Sequence, residues 1–239
     1  MKKDVDRFEV IKLYRHCKYF NEDQKQDCET DDLCGGNCTY ENPLSDCETC
    51  PELQDIKVAT VRKHPNFIIR EDGIPVNDIM LIKLSRPAVY NRLVRPVCLP
   101  PASFDSLLGE EGHAPGFFKH GNVVAGWGST ETYRGDFGIG VPQKLITPLL
   151  SNEECIEGLE RFGLRDGISV EGHLCAGGEI DKGSCTGDAG GPLLGREKPA
   201  DPYTLIGVVA GGASRCGIGA PTVHTRVSHY RNWIINHMT

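Results

Sequence analysis

The sequence predicts an all-β chain that ends in one C-terminal helix. Three observations carry that expectation. Short stretches in which apolar and β-branched residues alternate with polar ones recur through most of the chain, as half-buried strands require. Turn-forming residues separate them, with 28 glycines and 15 prolines in 239 residues. Helical periodicity is confined to two short stretches. Many short strands punctuated by glycine and proline describe a β-barrel or β-sandwich.

Composition narrows the setting. The net charge of −7 argues against nucleic acid or an anionic membrane as partner. No apolar run approaches the roughly 18 residues of a membrane helix. Eleven cysteines point to an oxidising, extracellular compartment. Met1-Lys2-Lys3 has the charge of a signal-peptide start, but no apolar segment follows it. The expectation is that Met1 lies within a longer secreted precursor, with an intracellular form as the alternative.

Taken in order, Phe8–Leu13 is a short strand candidate. Residues 21–50 then hold nine acids against the single base Lys25. With Cys17, this segment carries six cysteines: Cys17, Cys28, Cys34, Cys38, Cys47 and Cys50. An even set in a polar segment reads as an acidic Cys-rich loop (17–50) stapled by disulfides, with the pairing left open. Zinc is the rival, but Cys47–Cys50 is a single C-x-x-C with only His16 nearby. Ca²⁺ at the clustered acids is a further alternative, without EF-hand spacing to support it; otherwise no cofactor or metal is expected. Asn37-Cys38-Thr39 fits the glycosylation pattern.

Asp55–Val61 alternates as a half-buried strand, and Asn77–Leu84 is another with an aspartate at its entrance. Val94–Pro100 closes the first half, and Phe104–His120 reads as loop. Asn122–Gly128 and Gln143–Leu150 are strands. Ser151–Gly163 is a short helix with Ser151 as N-cap and Glu153 and Glu154 in its first turn. Leu174–Gly177, Tyr203–Gly211 and Pro221–Val227 are further strands. His229–His237 is an amphipathic helix with Tyr230, Trp233 and Ile234 on one face, and the C-terminal helix is placed over 229–239. Between strands lies the glycine-rich turn Gly183-Ser184-Cys185-Thr186-Gly187-Asp188-Ala189-Gly190-Gly191-Pro192.

The pieces HPNF, NDIMLIKL, VRPVCLP, VVAGWG, LCAGG, SCTGDAGGPLL and PTVHTRVSHYRNWI, in this order, resemble the chymotrypsin/trypsin family of serine proteases. They are most similar to the arthropod clip-domain proteases and their inactive homologues. The match covers about Asp55–Thr239. It implies two packed antiparallel β-barrels with the active site between them. The chain then reads as one trypsin-like domain over 1–239, with 17–50 inserted and the first strands missing. The N-terminal barrel would keep about half its strands and expose an apolar edge. The resemblance also implies bridges Cys155–Cys175 and Cys185–Cys216. A third family bridge would fall at Asn122 and Gly195, both lost together. Cys98 matches the cysteine that ties the protease domain to a light chain or clip segment; a buried free thiol is the alternative.

The same resemblance assigns the site. A Ser/His/Asp triad needs a nucleophile, a base, a carboxylate that orients the base, and N–H donors for the oxyanion. Asp78 matches the carboxylate. The nucleophile position is Ala189, and a methyl group cannot attack a carbonyl. The base would precede the strand at Phe8–Leu13; His16 falls on its wrong side. The Gly187 and Ala189 N–H groups remain as oxyanion donors. Asp188 matches the aspartate that pairs with a new N-terminus after activation. With no activation sequence here, it is expected to lack that amine partner, which leaves the turn zymogen-like. In the pocket, Gly183 replaces the acidic base and Ala210 the serine that bonds the triad aspartate. Gly211 stands where a tryptophan is usual, beside Gly212, and Thr222 narrows the throat. An uncharged pocket offers no counter-ion to Lys or Arg.

The leading expectation is thus a secreted, inactive protease homologue that binds a protein or peptide partner in a proteolytic cascade such as arthropod immunity. The rival is an active serine endopeptidase with an incomplete site. A third reading is a Ca²⁺-binding or interaction module centred on 17–50.

Overall fold

The computed structural model describes residues 54–70, 74–90, 94–104, 121–129, 142–164, 168–196, 198, 200–213 and 215–238. The strand expected at Phe8–Leu13, the Cys-rich segment 17–50 and nearly all of the loop expected at Phe104–His120 lie outside them. The described residues fall in two compact units. One takes 54–61, 82–90 and 94–96; the other takes 62–70, 74–81 and the described residues from Val97 onward.

Strand β1 (Val58–Lys63) and β4 (Met80–Leu84) form a two-stranded sheet, as do β2 (Ile68–Ile69) and β3 (Pro75–Val76). In the first unit, Gln54 and Val89 exchange two hydrogen bonds at 2.7 Å, and Ser85 N donates to Lys57 O. The alternation over Asp55–Val61 predicts a half-buried strand. Instead the strand begins three residues later and is exposed throughout, with Val58 51% and Val61 50% exposed. Alternation marks a sheet face that needs a second layer, and no described residue supplies one.

The second unit is built on a seven-stranded antiparallel sheet. Its strands are β5 (Asn122–Gly126), β6 (Gln143–Thr147), β7 (Leu149–Leu150), β8 (His173–Gly177), β9 (Pro192–Gly195), β10 (Thr204–Gly212) and β11 (Pro221–Arg226). Their order is β6-β5-β9-β10-β11-β8-β7. The strands β6 and β7 stand at opposite edges yet are separated in the chain only by Pro148. The sheet therefore curls until its edges meet at that proline. Pro148 has no N–H for a ladder, and this ends β6 within what the sequence reads as one strand, Gln143–Leu150. Its carbonyl still accepts from Gly177 N at 3.0 Å. The curled sheet encloses Phe104, Val124, Leu149, Leu174, Ala176, Leu193, Ile206 and Val209. The fold is mostly β, as the sequence predicts.

Helix α1 (Asn152–Glu160) has a complete capping box. Ser151 Oγ accepts from Glu154 N, and Glu154 Oε2 accepts from Ser151 N. It stops at Gly163, at φ +80°, where Leu164 N donates to Leu159 O and Gly163 N to Glu160 O, the glycine-stopped arrangement of helix ends. Its buried face, Cys155 and Leu159, packs on Ile74, Cys175 and Val223. The Cys155–Cys175 disulfide ties it to β8.

Helix α2 spans Arg231–Asn236, shorter than the 229–239 expected, because Val227–Tyr230 form a turn. Tyr230 and Ile234 are buried with Ile79 and Val227, and Trp233 packs against them. No helix among the described residues is long and apolar enough to cross a membrane.

Candidate functional site

The turn Cys185–Gly191 is fastened on every side. Within it, Asp188 N donates to Cys185 O and Gly191 N to Asp188 O. Toward β10, Gly190 N donates to Val209 O at 2.8 Å, and Val209 N to Gly191 O at 2.9 Å. Toward the end of β5, Ser129 N donates to Thr186 O. The Ser129 hydroxyl donates to Cys185 Sγ, which carries no hydrogen because it is bridged to Cys216. Both expected disulfides are formed, and Cys98 is a free, exposed thiol.

The Asp188 carboxylate is bonded by two backbone N–H groups. Its Oδ1 accepts from Gly128 N and its Oδ2 from Cys185 N, both at 2.8 Å. Two backbone donors stand in for the amine that the resemblance implies. Space for this comes from glycine. A Cβ on Gly126 would overlap Asp188 Oδ1, and one on Gly128 would lie 2.5 Å from Asp188 Oδ2. The sequence signal was Gly126-Trp127-Gly128, whose glycines mark a close approach.

Of the five N–H groups from Gly187 to Gly191, those of Asp188, Gly190 and Gly191 are donated within the chain. Those of Gly187 and Ala189 reach no acceptor among the described residues, and both residues are exposed. Gly187 has φ +97°, which a side chain would strain. Two N–H groups of the turn thus stay without an acceptor among the described residues, and Ala189 between its glycines carries only a methyl group.

Asp78 enters β4 from a braced position. Asn77, at φ +55°, accepts from Tyr230 OH at 3.0 Å and donates to Asn66 O at 2.9 Å. Thr225 Oγ1 donates to Asp78 O at 2.8 Å. Among the described residues the Asp78 carboxylate takes no hydrogen bond, and burial raises its pKa. No described histidine serves it as a base partner. His64 packs against the Tyr230 and Trp233 rings; burial, then the nearby charges of His229 and His237, lowers its pKa. His173 accepts from Ser169 N through Nδ1, so its Nε2 donates to Pro75 O.

The pocket residues are brought together in pairs. Asp181 N donates to Gly217 O, and Ile180 bridges Ile218, which sets Gly183 beside Gly217. Thr222, 8% exposed, faces Gly212 in register, and Gly211 faces Val223. Ala210 is the extra residue of a bulge between Val209 and Gly211, the kind of irregularity that re-aims a side chain next to a site. A Cβ on Gly211 would meet nothing within 4 Å.

Sequence reasoning missed His224, the register partner of Val209. It is fully buried, and its Nδ1 donates to Thr222 O at 3.1 Å. Burial drives its pKa down to about 4. No local signal flags it, because β11 is buried on both faces. No group of three or more His, Cys, Asp or Glu able to hold a metal ion occurs among the described residues.

A family model described as Trypsin matches residues 48–234. Similar proteins include CLIP domain-containing serine protease B14 of Anopheles gambiae, 36% identical over 187 residues, 77% of this chain and 48% of that protein. Phenoloxidase-activating factor 1 of Holotrichia diomphalia is 37% identical over 183 residues, 75% of this chain and 44% of that protein. Inactive CLIP domain-containing serine protease A28 of Anopheles gambiae is 34% identical over 187 residues, 77% of this chain and 44% of that protein. The chain spans about half the length of the curated relatives it matches. It belongs to the trypsin family.

Proposed function

We propose that this member of the trypsin family is a catalytically inactive protease homologue that acts by binding a protein or peptide in an extracellular proteolytic cascade. One feature supports the reading most: Ala189 falls where the resemblance puts the nucleophile, in a turn tied by hydrogen bonds to its surroundings. Acyl transfer needs an attacking atom and a base within hydrogen-bond reach of it. A methyl group supplies neither the atom nor a proton to remove. On this reading Asp78, Gly187 and Asp188 are the site positions carried over from the family, and Gly183, Ala210, Gly211, Gly212 and Thr222 would give an uncharged pocket.

The names of relatives agree with this role, since one is called inactive and another a phenoloxidase-activating factor. Two disulfides suit an extracellular protein. The exposed Cys98 thiol is available to a light-chain or clip segment.

The test is hydrolysis of fluorogenic peptides and fluorophosphonate labelling by the purified chain. A parallel assay follows cleavage of a zymogen by an active trypsin-family protease with the chain added. The expected result is no turnover and no label, with a changed rate of zymogen cleavage. Turnover or labelling would establish the endopeptidase reading instead.

A further inference from the structure

We infer that the β2–β3 hairpin is held by an acid-released latch, in which two neutral histidines, His64 and His173, grip its two feet and let go when protonated. The hairpin has little else to hold it. Its strands pair at two positions, Ile68 with Val76 and Ile69 with Pro75, and so short a two-stranded ribbon is marginal by itself. Of its described residues from Phe67 to Val76, Ile74 alone is buried.

The first foot is Asn66. Its N–H donates to His64 Nδ1 at 3.3 Å, and its carbonyl accepts from Asn77 Nδ2 at 2.9 Å. Asn77 Oδ1 accepts from Tyr230 OH at 3.0 Å, and the Tyr230 ring meets the His64 ring edge-on at 5.4 Å. His64, Asn66, Asn77 and Tyr230 thus close a circuit. The second foot is Pro75, whose carbonyl accepts from His173 Nε2 at 3.0 Å, while His173 Nδ1 accepts from Ser169 N at 2.9 Å. Both Nδ1 atoms accept from a backbone N–H, which can only donate, so both rings are neutral. A proton added at Nδ1 takes up the lone pair and sets N–H against N–H. At His173 the ring must then turn, which takes Nε2 off Pro75.

The surroundings oppose that proton. His229 and His237 flank the same Tyr230 and Trp233 rings that His64 touches, at 4.7 and 5.1 Å, and Lys63 precedes it in the chain. Asp78 is the acid near Tyr230, yet no ion pair joins His64, His229 or His237 to a carboxylate among the described residues. Beside His173 stand the exposed Glu171 and Arg226, whose Nε donates to His173 O. Burial, then His229 and His237, hold the His64 pKa below its ordinary 6.5. The latch is therefore intact above about pH 6.5 and lost as pH falls through the lowered value. Release frees Asn77 from Tyr230, and with it the adjoining Asp78. None of this depends on whether the chain is an enzyme.

The test is an NMR titration of the purified full chain from about pH 7.5 to about pH 5, the range in which imidazoles charge. Ring nitrogen shifts should show His64 and His173 with a bare Nδ1 at the upper end and doubly protonated at the lower. Over the same transition the Asn66, Ile69 and Val76 amides should lose their dispersed shifts, while those of Leu193 and Val208 in the β9–β10 ladder stay in place. His64→Asn puts an amide oxygen that cannot titrate where Nδ1 was, and should move the Asn66 transition down by at least about one pH unit; His229→Gln should move it far less. The titration of the unsubstituted chain keeps the test independent of how the variants fold. Hairpin amides that stay dispersed at about pH 5 overturn the inference. So does simultaneous loss of Leu193 and Val208, which is plain acid unfolding, or an Asn66 transition unmoved by His64→Asn.

Discussion

The turn at Cys185–Gly191 and the carboxylate of Asp78 belong to the same compact unit, yet they have been kept to different degrees. In the turn, main-chain groups bond one another, β10, the segment after β5 and the Asp188 carboxylate. Asp78 is braced through its carbonyl by Thr225 and through its neighbour Asn77, while its carboxylate takes no hydrogen bond among the described residues. The difference follows from what encodes each part. Oxyanion binding is written in the backbone and survives exchange of a side chain. Proton transfer is written in side chains, and on the proposed reading those are replaced: Ala189 at the nucleophile position and Ala210 at that of the hydroxyl beside the aspartate.

Removing the anchor of the turn should break this comparison most strongly. Cys185→Ala with Cys216→Ala opens a bridge of sequence separation 31 and should cost about 3–4 kcal/mol. Removing Cys155 and Cys175 should cost a similar amount but leave the turn's amides protected. Denaturant unfolding with amide exchange separates the two outcomes.

Next comes His224. Its folded-state pKa, about 4, lies below its ordinary value of 6.5. The unfolded chain therefore binds a proton that the folded chain refuses. Stability should fall as pH drops from about 6.5 toward 4, by on the order of 3 kcal/mol. His224→Phe should flatten this part of the pH profile.

Gly126→Ala drives a methyl into the Asp188 carboxylate and should cost about 2 kcal/mol. Gly211→Ala enters open space and should change stability by less than about 0.5 kcal/mol. Paired melting curves test whether the turn is as tightly fitted as its hydrogen bonds imply.

The smallest effect belongs to Asp78. Burial raises its pKa, so its ionised form opposes folding above that pKa, and the penalty disappears once pH falls below its ordinary value. Asp78→Asn should stabilise the chain at neutral pH by a few tenths of a kcal/mol, discounted for solvent screening of a half-buried group. The gain should vanish below the carboxylate range. A loss at neutral pH would mean that the carboxylate is bonded after all.

Much of this was legible in the sequence, because it rests on local rules. Ser151, Glu154 and Gly163 bound helix α1 as capping chemistry dictates. The short apolar stretches read as strands at Asn122–Gly128 and Pro221–Val227 form the interior strands β5 and β11. The central strand β9, Pro192-Leu193-Leu194-Gly195, gave no local signal. It is a strand because it pairs with β5 and β10, a tertiary cause that outweighs local preference. The partners of Asp188 were hidden for a related reason: they are backbone N–H groups, visible only as the glycines that make room for them. The exposure of β1 reverses the reading of its alternation, since a face can be patterned for burial without a layer to cover it.

Residue-resolved amide hydrogen exchange on the unligated chain tests the central claim most directly. The amides of Gly128, Cys185, Gly190 and Val209 should be strongly protected, while those of Gly187 and Ala189 exchange near unfolded-chain rates. Protection at Gly187 and Ala189 equal to that of their neighbours would mean that the turn has no free donors, and would contradict the account.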